Sequence, residues 1–158
     1  MNYEIVDYDS KYCYDISNII TRNLLEINSK DYGLEKMRKD ALRFTPEMIE
    51  HYSKESKIYV ALDKDKPVGT LRVAKFWGGG EYDYVFLSIF VLPEYHGKGI
   101  GRLLMENAEK YATELGAKTI KIPSGITAHR FYNKLGYDYM NGSEPDAEGI
   151  IFMNKNIS

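Results

Sequence analysis

Just past the middle of the chain runs the segment Val91-Leu92-Pro93-Glu94-Tyr95-His96-Gly97-Lys98-Gly99-Ile100-Gly101-Arg102. The preceding residues, Glu81 to Leu92, are apolar in both alternating sets over most of their length, which is typical of a strand covered on both faces. Pro93 has no N–H group to donate and ends that strand. From Ile100 to Leu115 apolar residues recur at helical spacing, and Gly116 predicts the helix end. The segment is therefore a glycine-rich turn between a central strand and a long helix.

This turn has the chemistry of a phosphate site. A glycine loop that leads into a helix brings free backbone N–H groups and the positive end of the helix dipole together. Gly97, Gly99 and Gly101 remove side chains near the backbone, and Lys98 and Arg102 add positive charge. The sequence lacks a Walker loop, and the turn lies too late for a dinucleotide fingerprint. The spacing alone predicts a diphosphate site and leaves a plain turn before a helix as the alternative.

The remainder of the sequence alternates between strand and helix patterns. Strand patterns cover residues 3–8, 57–63, 68–76, 118–122, 137–140 and 150–154. Helix patterns cover residues 16–25 after the cap Asp9-Ser10, residues 46–53 after the cap Thr45, and residues 127–135. Residues 28–44 are polar at first and then weakly helical. These patterns predict an α/β protein with a mixed sheet.

Length, charge and cysteine content exclude several classes of protein. The 158 residues predict one domain, residues 1–158, and the 21 basic and 23 acidic residues give a net charge of −2, which does not favour nucleic acid as a partner. Cys13 is the only cysteine, so we expect neither a disulfide nor a metal site, and interpret it as a small buried hydrophobe. The sequence shows no targeting or membrane-spanning segment, and we expect a cytoplasmic protein without a membrane partner.

Two segments in the right order resemble the GNAT superfamily of N-acetyltransferases. Residues 91–102 are similar to its signature Arg/Gln-x-x-Gly-x-Gly/Ala after a strand ending in Val-x-Pro. Residues 128–137, Ala-His-Arg-Phe-Tyr-Asn-Lys-Leu-Gly-Tyr, are similar to the family's Ala-x-x-Phe-Tyr-x-Lys-Leu-Gly-Phe. The resemblance covers about residues 57–154, and implies a GNAT fold: one mixed, mostly antiparallel central sheet with a splayed strand pair and helices on both faces.

The resemblance also implies how the chain is divided and what it binds. About residues 84–137 would form the core that binds acetyl-coenzyme A (acetyl-CoA), and about residues 25–56 the variable helices beside the acceptor. The strand with Ile89 and Val91 would splay from residues 118–122, so that its backbone binds the pantetheine arm. The coenzyme contacts would be Ile89, Phe90, Val91, His96, Gly97, Lys98, Gly99, Ile100, Gly101 and Arg102.

The reaction implied is direct attack by a primary amine of a small molecule or a protein on the acetyl group. Tyr132 would donate the proton that the departing thiolate needs, and a backbone N–H near Phe90 or Val91 would stabilise the oxyanion. The general base would be Asp83 or Glu81, or a chain of water molecules. The alternatives are that Tyr132 only packs against the sheet and that both carboxylates are solvated turn residues.

Two positions depart from the family pattern. His96 stands where Arg or Gln is usual, and Gly125 stands where many members have Asn, with Ser124 as a substitute contact. We interpret His51 and His129 as surface residues. These departures keep a second function open, a coenzyme A-binding sensor or regulatory module with little turnover. The sequence leaves the oligomeric state open, and exposed strand edges near the C-terminus are compatible with a homodimer.

Overall fold

The computed structural model describes residues 2–157, which form one seven-stranded sheet of order β1-β2-β3-β4-β5-β7-β6. The strands are β1 Tyr3–Asp7, β2 Lys57–Asp63, β3 Lys66–Lys75, β4 Asp83–Val91, β5 Thr119–Gly125, β6 Asp138–Tyr139 and β7 Ile150–Asn156. Of the strand pairs in this range, β4 and β5 alone are parallel. The mixed sheet that the sequence patterns predict is confirmed, and so is the mostly antiparallel arrangement that the family resemblance implies.

Helices cover both faces of this sheet. They are α1 Cys13–Asn23, α2 Ser29–Tyr32, α3 Leu34–Ala41, α4 Pro46–Glu55, α5 Ile100–Glu114 and α6 His129–Lys134. The alternation of β2 divides the core, because Val60 packs with buried residues of α1, α3 and α4, whereas Ala61 belongs to the cluster that contains the buried face of α5. Each face of the sheet is therefore closed by its own helical layer.

The splay between β4 and β5 has a visible cause. The two strands pair only from Asp83 opposite Thr119 to Val85 opposite Lys121. Beyond that point β4 carries a bulge, since Ser88 has a φ of 53° and the register with β3 shifts between Thr70 and Arg72. A bulge bends its strand and increases the local twist, so the end of β4 turns away from β5. The predicted splayed pair is confirmed.

Several predicted boundaries need correction. Strand β4 begins at Asp83 rather than Glu81, and β5 continues to Gly125. The first helix does not end near Leu25 but continues as a π-helical turn over Leu24–Asn28. The weak helical pattern of residues 28–44 conceals two helices, α2 and α3, joined at Gly33 with a φ of 87°. Cys13 is partly exposed rather than fully buried.

Candidate functional site

A cavity of about 370 Å³ lies where the end of β4, the start of α5 and helix α6 meet, and we call it the loop cavity. It is lined by residues that the resemblance assigns to the coenzyme: Ile89, Phe90, Val91, His96, Gly97, Gly99, Ile100, Gly101 and Arg102. Asn23, Ile27 and Asn28 from the first helical layer and Thr127, Ala128, Phe131 and Tyr132 from the α6 region complete its wall. Lys98 does not line it, and its ammonium lies 5.9 Å from the Tyr95 ring centre.

The glycine loop presents unused backbone donors to this cavity. Gly99 caps α5 in a left-handed conformation, φ 85°, without a side-chain cap. The first N–H group of α5 that bonds back into the loop is that of Leu103, which donates to Gly99 O at 3.1 Å. Within residues 2–157, no hydrogen bond is donated by the backbone of residues 97–102. Those N–H groups and the helix dipole form a site for anionic oxygens.

The three loop glycines have different reasons to be glycine. Gly97 and Gly99 have φ angles of 77° and 85°, in the region that side chains disfavour, although a Cβ atom there would meet nothing within 4 Å. At Gly101 a Cβ atom would lie 3.1 Å from the Phe131 ring. The absence of a side chain at Gly101 therefore lets α6 pack against α5, which is a different reason from the ligand approach that the sequence suggests.

The register of β4 decides which backbone groups face the cavity. Leu92 N–H donates to Val68 O at 2.8 Å, so the alternation of an antiparallel pair directs the groups of Phe90 toward β3 and those of Val91 away from it. Because β5 has already diverged, the Val91 N–H has no strand partner on this side in the part of the chain that the structure describes. Of the two predicted oxyanion donors, the register favours Val91 over Phe90.

The Val91 carbonyl, in contrast, is already engaged. It accepts a hydrogen bond from Asn23 Nδ2 at 2.8 Å and lies 2.7 Å from His96 Nε2. A carbonyl oxygen only accepts, so this contact assigns the proton to Nε2 of His96. His96 thus lines the cavity, and one of its ring nitrogens is hydrogen-bonded to the end of β4.

Sequence reasoning missed Asn23. Its side chain is 3% exposed, and Nδ2 donates both to Ile19 O at 2.9 Å and to Val91 O. A signal was present, since Asn23 lies four residues after Ile19 and seven after Ile16, on the apolar face of α1. A polar residue on that face needs a buried partner, and the partner is the strand that lines the loop cavity.

Tyr132 lies in α6 with its ring buried and lines the loop cavity. The ring packs edge-on against Phe131 and Tyr137, and the structure, over residues 2–157, gives its hydroxyl no hydrogen-bond partner. Burial raises the pKa of the Tyr132 phenol well above its usual value. The hydroxyl therefore stays protonated at neutral pH and has a hydrogen bond to donate.

The predicted bases lie elsewhere. Asp83 begins β4, and an extended strand places Val91 roughly 26 Å from it. Its carboxylate accepts from Thr119 Oγ1 and from Gly80 N–H, and these bonds hold the pKa of Asp83 below its usual value. Glu81 lies in the turn before, where Lys75 Nζ donates to its carbonyl. The structure thus separates both residues from the loop cavity, and we do not retain them as bases.

A second cavity, of about 620 Å³, lies on the face covered by α1 to α4, and we call it the arginine cavity. It shares Asn28 and Phe90 with the loop cavity, so the two are neighbours. Aromatic rings form much of its wall: Tyr32, Phe44, Tyr52, Trp77 and Phe90. Arg72, from β3, is a partly buried charged residue of this wall.

The position of Gly125 is explained by its contact with Tyr32. The Tyr32 hydroxyl donates to Gly149 O at 2.6 Å and accepts from Ile126 N–H at 2.7 Å. A Cβ atom at Gly125 would lie 3.2 Å from the Tyr32 hydroxyl oxygen. Ser124 is buried, and its hydroxyl donates to the Gly125 carbonyl at 2.8 Å. This segment of β5 therefore anchors α2, and Ser124 does not reach the loop cavity.

The other histidines make local contacts. His51 pairs with Glu55 at 3.4 Å, and His129 Nδ1 lies 2.7 Å from the Tyr139 hydroxyl. Across residues 2–157, no three side chains of His, Cys, Asp or Glu are grouped so as to hold a metal ion. In the same range, every helix is too short or too polar to span a bilayer.

Comparisons with known sequences give a family match over most of the chain. The sequence model described as the Acetyltransferase (GNAT) family matches residues 21–137. The peptidyl-lysine N-acetyltransferase YjaB of Salmonella typhimurium is 31% identical over 104 residues, which are 65% of this chain and 65% of that protein. YjcF of Bacillus subtilis, an uncharacterized N-acetyltransferase, is 32% identical over 98 residues, 62% of this chain and 67% of that protein. The chain thus spans about two thirds of the length of these relatives.

Solved structures share the fold at low sequence identity. The PaiA N-acetyltransferase of Thermoplasma acidophilum, in complex with coenzyme A, superposes with a TM-score of 0.87 at 17% identity, over 99% of this chain and 100% of that chain. YncA of Salmonella typhimurium, with its cofactor acetyl-CoA, superposes with a TM-score of 0.71 at 17% identity, over 100% and 95%. At such identities the likeness shows the fold alone.

Proposed function

The chain belongs to the acetyltransferase (GNAT) family, and we propose that it is an acetyl-CoA-dependent N-acetyltransferase that acts on a primary amine by direct attack. One observation carries the proposal: the glycine loop with its unused N–H groups, Val91 and Tyr132 all line the loop cavity. A diphosphate needs the loop N–H groups, a thioester oxygen needs a donor such as the Val91 N–H, and a leaving sulfur needs one such as the Tyr132 hydroxyl. The complexes of PaiA with coenzyme A and YncA with acetyl-CoA support the same ligand.

The loop and β4 would hold the two ends of acetyl-CoA. The backbone of residues 97–102 binds the diphosphate oxygens, and Arg102, exposed beside them, adds charge. Beyond the bulge β4 no longer pairs with β5, so the amide groups of the pantetheine arm can bind to this edge of β4. Since the Val91 carbonyl is engaged by Asn23 and His96, Val91 contributes its N–H group.

The chemical step uses two donors of the chain. The neutral amine nitrogen forms a bond to the thioester carbon, and the Val91 N–H stabilises the negative charge that develops on its oxygen. The carbon–sulfur bond then breaks, and the Tyr132 hydroxyl donates a hydrogen bond to the departing thiolate sulfur. A thiol has a pKa of about 8.5 and burial raises that of the Tyr132 phenol, so the hydroxyl keeps its proton and contributes through this hydrogen bond. The amine proton passes to water, and the thiolate takes its proton from water.

No carboxylate among residues 2–157 lines the loop cavity. Asp40 and Glu148 line the arginine cavity, and Asp40 pairs with Lys36 at 3.2 Å. We therefore propose that the amine reaches the thioester already neutral, or loses its proton to a water chain. Of the routes that the sequence left open, this one needs neither Asp83 nor Glu81.

Binding and turnover of the full chain test the proposal. Calorimetry with acetyl-CoA should show saturable binding, and acetyl-pantetheine, which lacks the diphosphate, should bind at least tenfold more weakly. Thiol release should accelerate when a panel of primary amines is added. The absence of saturable acetyl-CoA binding at millimolar concentration would refute the proposal. Binding without thiol release for any amine would favour the sensor instead.

A further inference from the structure

The arginine cavity contains a cation that nothing in the described chain neutralises. The Arg72 guanidinium lies 4.4 Å from the Tyr52 ring centre, and its Nε atom is buried without a hydrogen-bond partner among the described residues. Within residues 2–157, no carboxylate approaches it to 4.0 Å, and Glu55 acts on it only at longer range. Burial lowers the pKa of Arg72, yet a guanidinium remains charged at any physiological pH. Arg72 is partly buried, and a charge in this position with one buried, unpaired nitrogen is costly, which favours an external anion.

The place of Arg72 on β3 relates it to the reaction centre. Arg72 pairs with Leu87 and Thr70 pairs with Phe90, so Arg72 lies two residues along β3 from the strand pair at the loop cavity. That is roughly 7 Å along the sheet, within the reach of one small molecule. A molecule whose amine meets the thioester near Phe90 can therefore place a second group at Arg72.

The other charged residues of the arginine cavity do not remove its preference for an anionic ligand. Lys36 and Asp40 form an ion pair at 3.2 Å and offset one another. Arg43 and Glu148 also line the cavity and carry opposite charges. The charged residues that line the cavity therefore carry a net charge of +1, and Arg72 accounts for it.

We propose that the acceptor is a small amine that also carries a carboxylate, such as an amino acid, and that Arg72 binds this carboxylate. The inference rests on the proposed function and adds the substrate class. A planar guanidinium can donate two parallel hydrogen bonds to one carboxylate. The Tyr52 ring, over which the Arg72 guanidinium lies, restricts the orientation of that plane. A polyamine would leave Arg72 unpaired and would add a second positive charge to the cavity.

Matched acceptor pairs test this class directly. The full chain is assayed for thiol release with amino acids, each beside the amine that lacks only its carboxylate: tyrosine with tyramine, and lysine with cadaverine. We expect kcat/KM to be at least tenfold higher for the carboxylate member of at least one pair. Equal or higher activity with the decarboxylated members throughout would overturn the inference and leave the proposed function standing. The absence of turnover with every amine would overturn both.

Variants of Arg72 provide an independent test. Arg72→Gln should raise KM for the preferred carboxylate acceptor at least tenfold, and should change KM for its decarboxylated partner little. Arg72→Lys, which keeps the positive charge but cannot donate two parallel hydrogen bonds, should raise this KM less than Arg72→Gln does. Arg38→Gln, at an exposed arginine of α3, is the matched control. An equal rise in KM for both members of a pair, with unchanged acetyl-CoA binding and folding by thermal melting, would show a structural role and overturn the assignment.

Discussion

The side-chain amide of Asn23 lies 2.8 Å from the carbonyl oxygen of Val91 and ties helix α1 to the end of β4. This is the part of β4 that has lost β5 as a neighbour, since their pairing stops at Val85. His96 Nε2 lies 2.7 Å from the same oxygen. The two contacts engage the carbonyl that a neighbouring strand would otherwise bind and hold Val91, whose N–H we assign to the oxyanion, at the end of β4.

The first prediction concerns this contact. Asn23→Ala should cost about 1–3 kcal/mol of stability, because a buried carbonyl loses a donor. It should also lower kcat on the order of tenfold to a hundredfold through a displaced Val91 N–H. Asn107→Ala is the control, since Asn107 Nδ2 likewise donates to the carbonyl four residues earlier, Leu103 O, but lies outside the loop cavity. The same kcat for both variants would contradict the positioning role.

The second prediction compares two glycines that flank α5. Gly99 and Gly116 have φ angles of 85° and 84°, and a Cβ atom at either would meet nothing within 4 Å. Alanine at each should therefore cost a similar amount, about 1–2 kcal/mol. Only Gly99→Ala disturbs the N–H groups of the loop, and it should weaken acetyl-CoA binding roughly tenfold or more. Equal dissociation constants for the two variants by calorimetry would contradict a diphosphate site in the loop.

The third prediction concerns the phenol of Tyr132. Tyr132→Phe keeps the ring packing and removes the donor, so kcat should fall roughly 10²-fold to 10⁴-fold while acetyl-CoA binding changes little. Tyr139→Phe is the matched control, because the Tyr139 hydroxyl contacts His129 outside the loop cavity. Thiol release by Tyr132→Phe at the rate of the unmodified chain would show that the ring only packs.

The fourth prediction concerns pH. Because the pKa of Tyr132 is raised, its phenol keeps the proton through the alkaline range, and the rate is governed by the amine. The value of kcat/KM should rise with pH up to the acceptor pKa, about 8 for the α-amine of a peptide and about 10.4 for a lysine-like amine. A fall in kcat/KM between about pH 8 and pH 10, with the fold intact by circular dichroism, would contradict this.

The fifth prediction separates Asp83 from catalysis. A lowered pKa means that the carboxylate stabilises the folded state above about pH 4 and that this contribution is lost as the pH falls below it. Asp83→Asn should therefore lower Tm at neutral pH, with a smaller effect in acid, and leave kcat within about twofold. Asp65→Asn, at an exposed hairpin residue, is the control for both measurements. A large loss of kcat with Asp83→Asn would restore it as a candidate base.

The local elements could be predicted from the sequence because their causes are local. The two apolar faces of β4, the stop at Pro93 and the periodicity of α5 depend on residues near one another in the chain. The same holds for Gly99, whose left-handed φ is a requirement of the turn itself. The family resemblance was carried by these segments and by residues 128–137, and the family match and the fold confirm it.

Contacts between distant segments were decided by the tertiary structure. Asn23 and Val91 are 68 residues apart, and no local pattern brings them together. Only the strand register shows that β5 leaves β4 after Val85 and that Arg72 lies near Phe90. The physical reason is that backbone conformation follows from neighbouring residues, whereas the partner of a buried amide or guanidinium depends on which strands and helices the core places side by side.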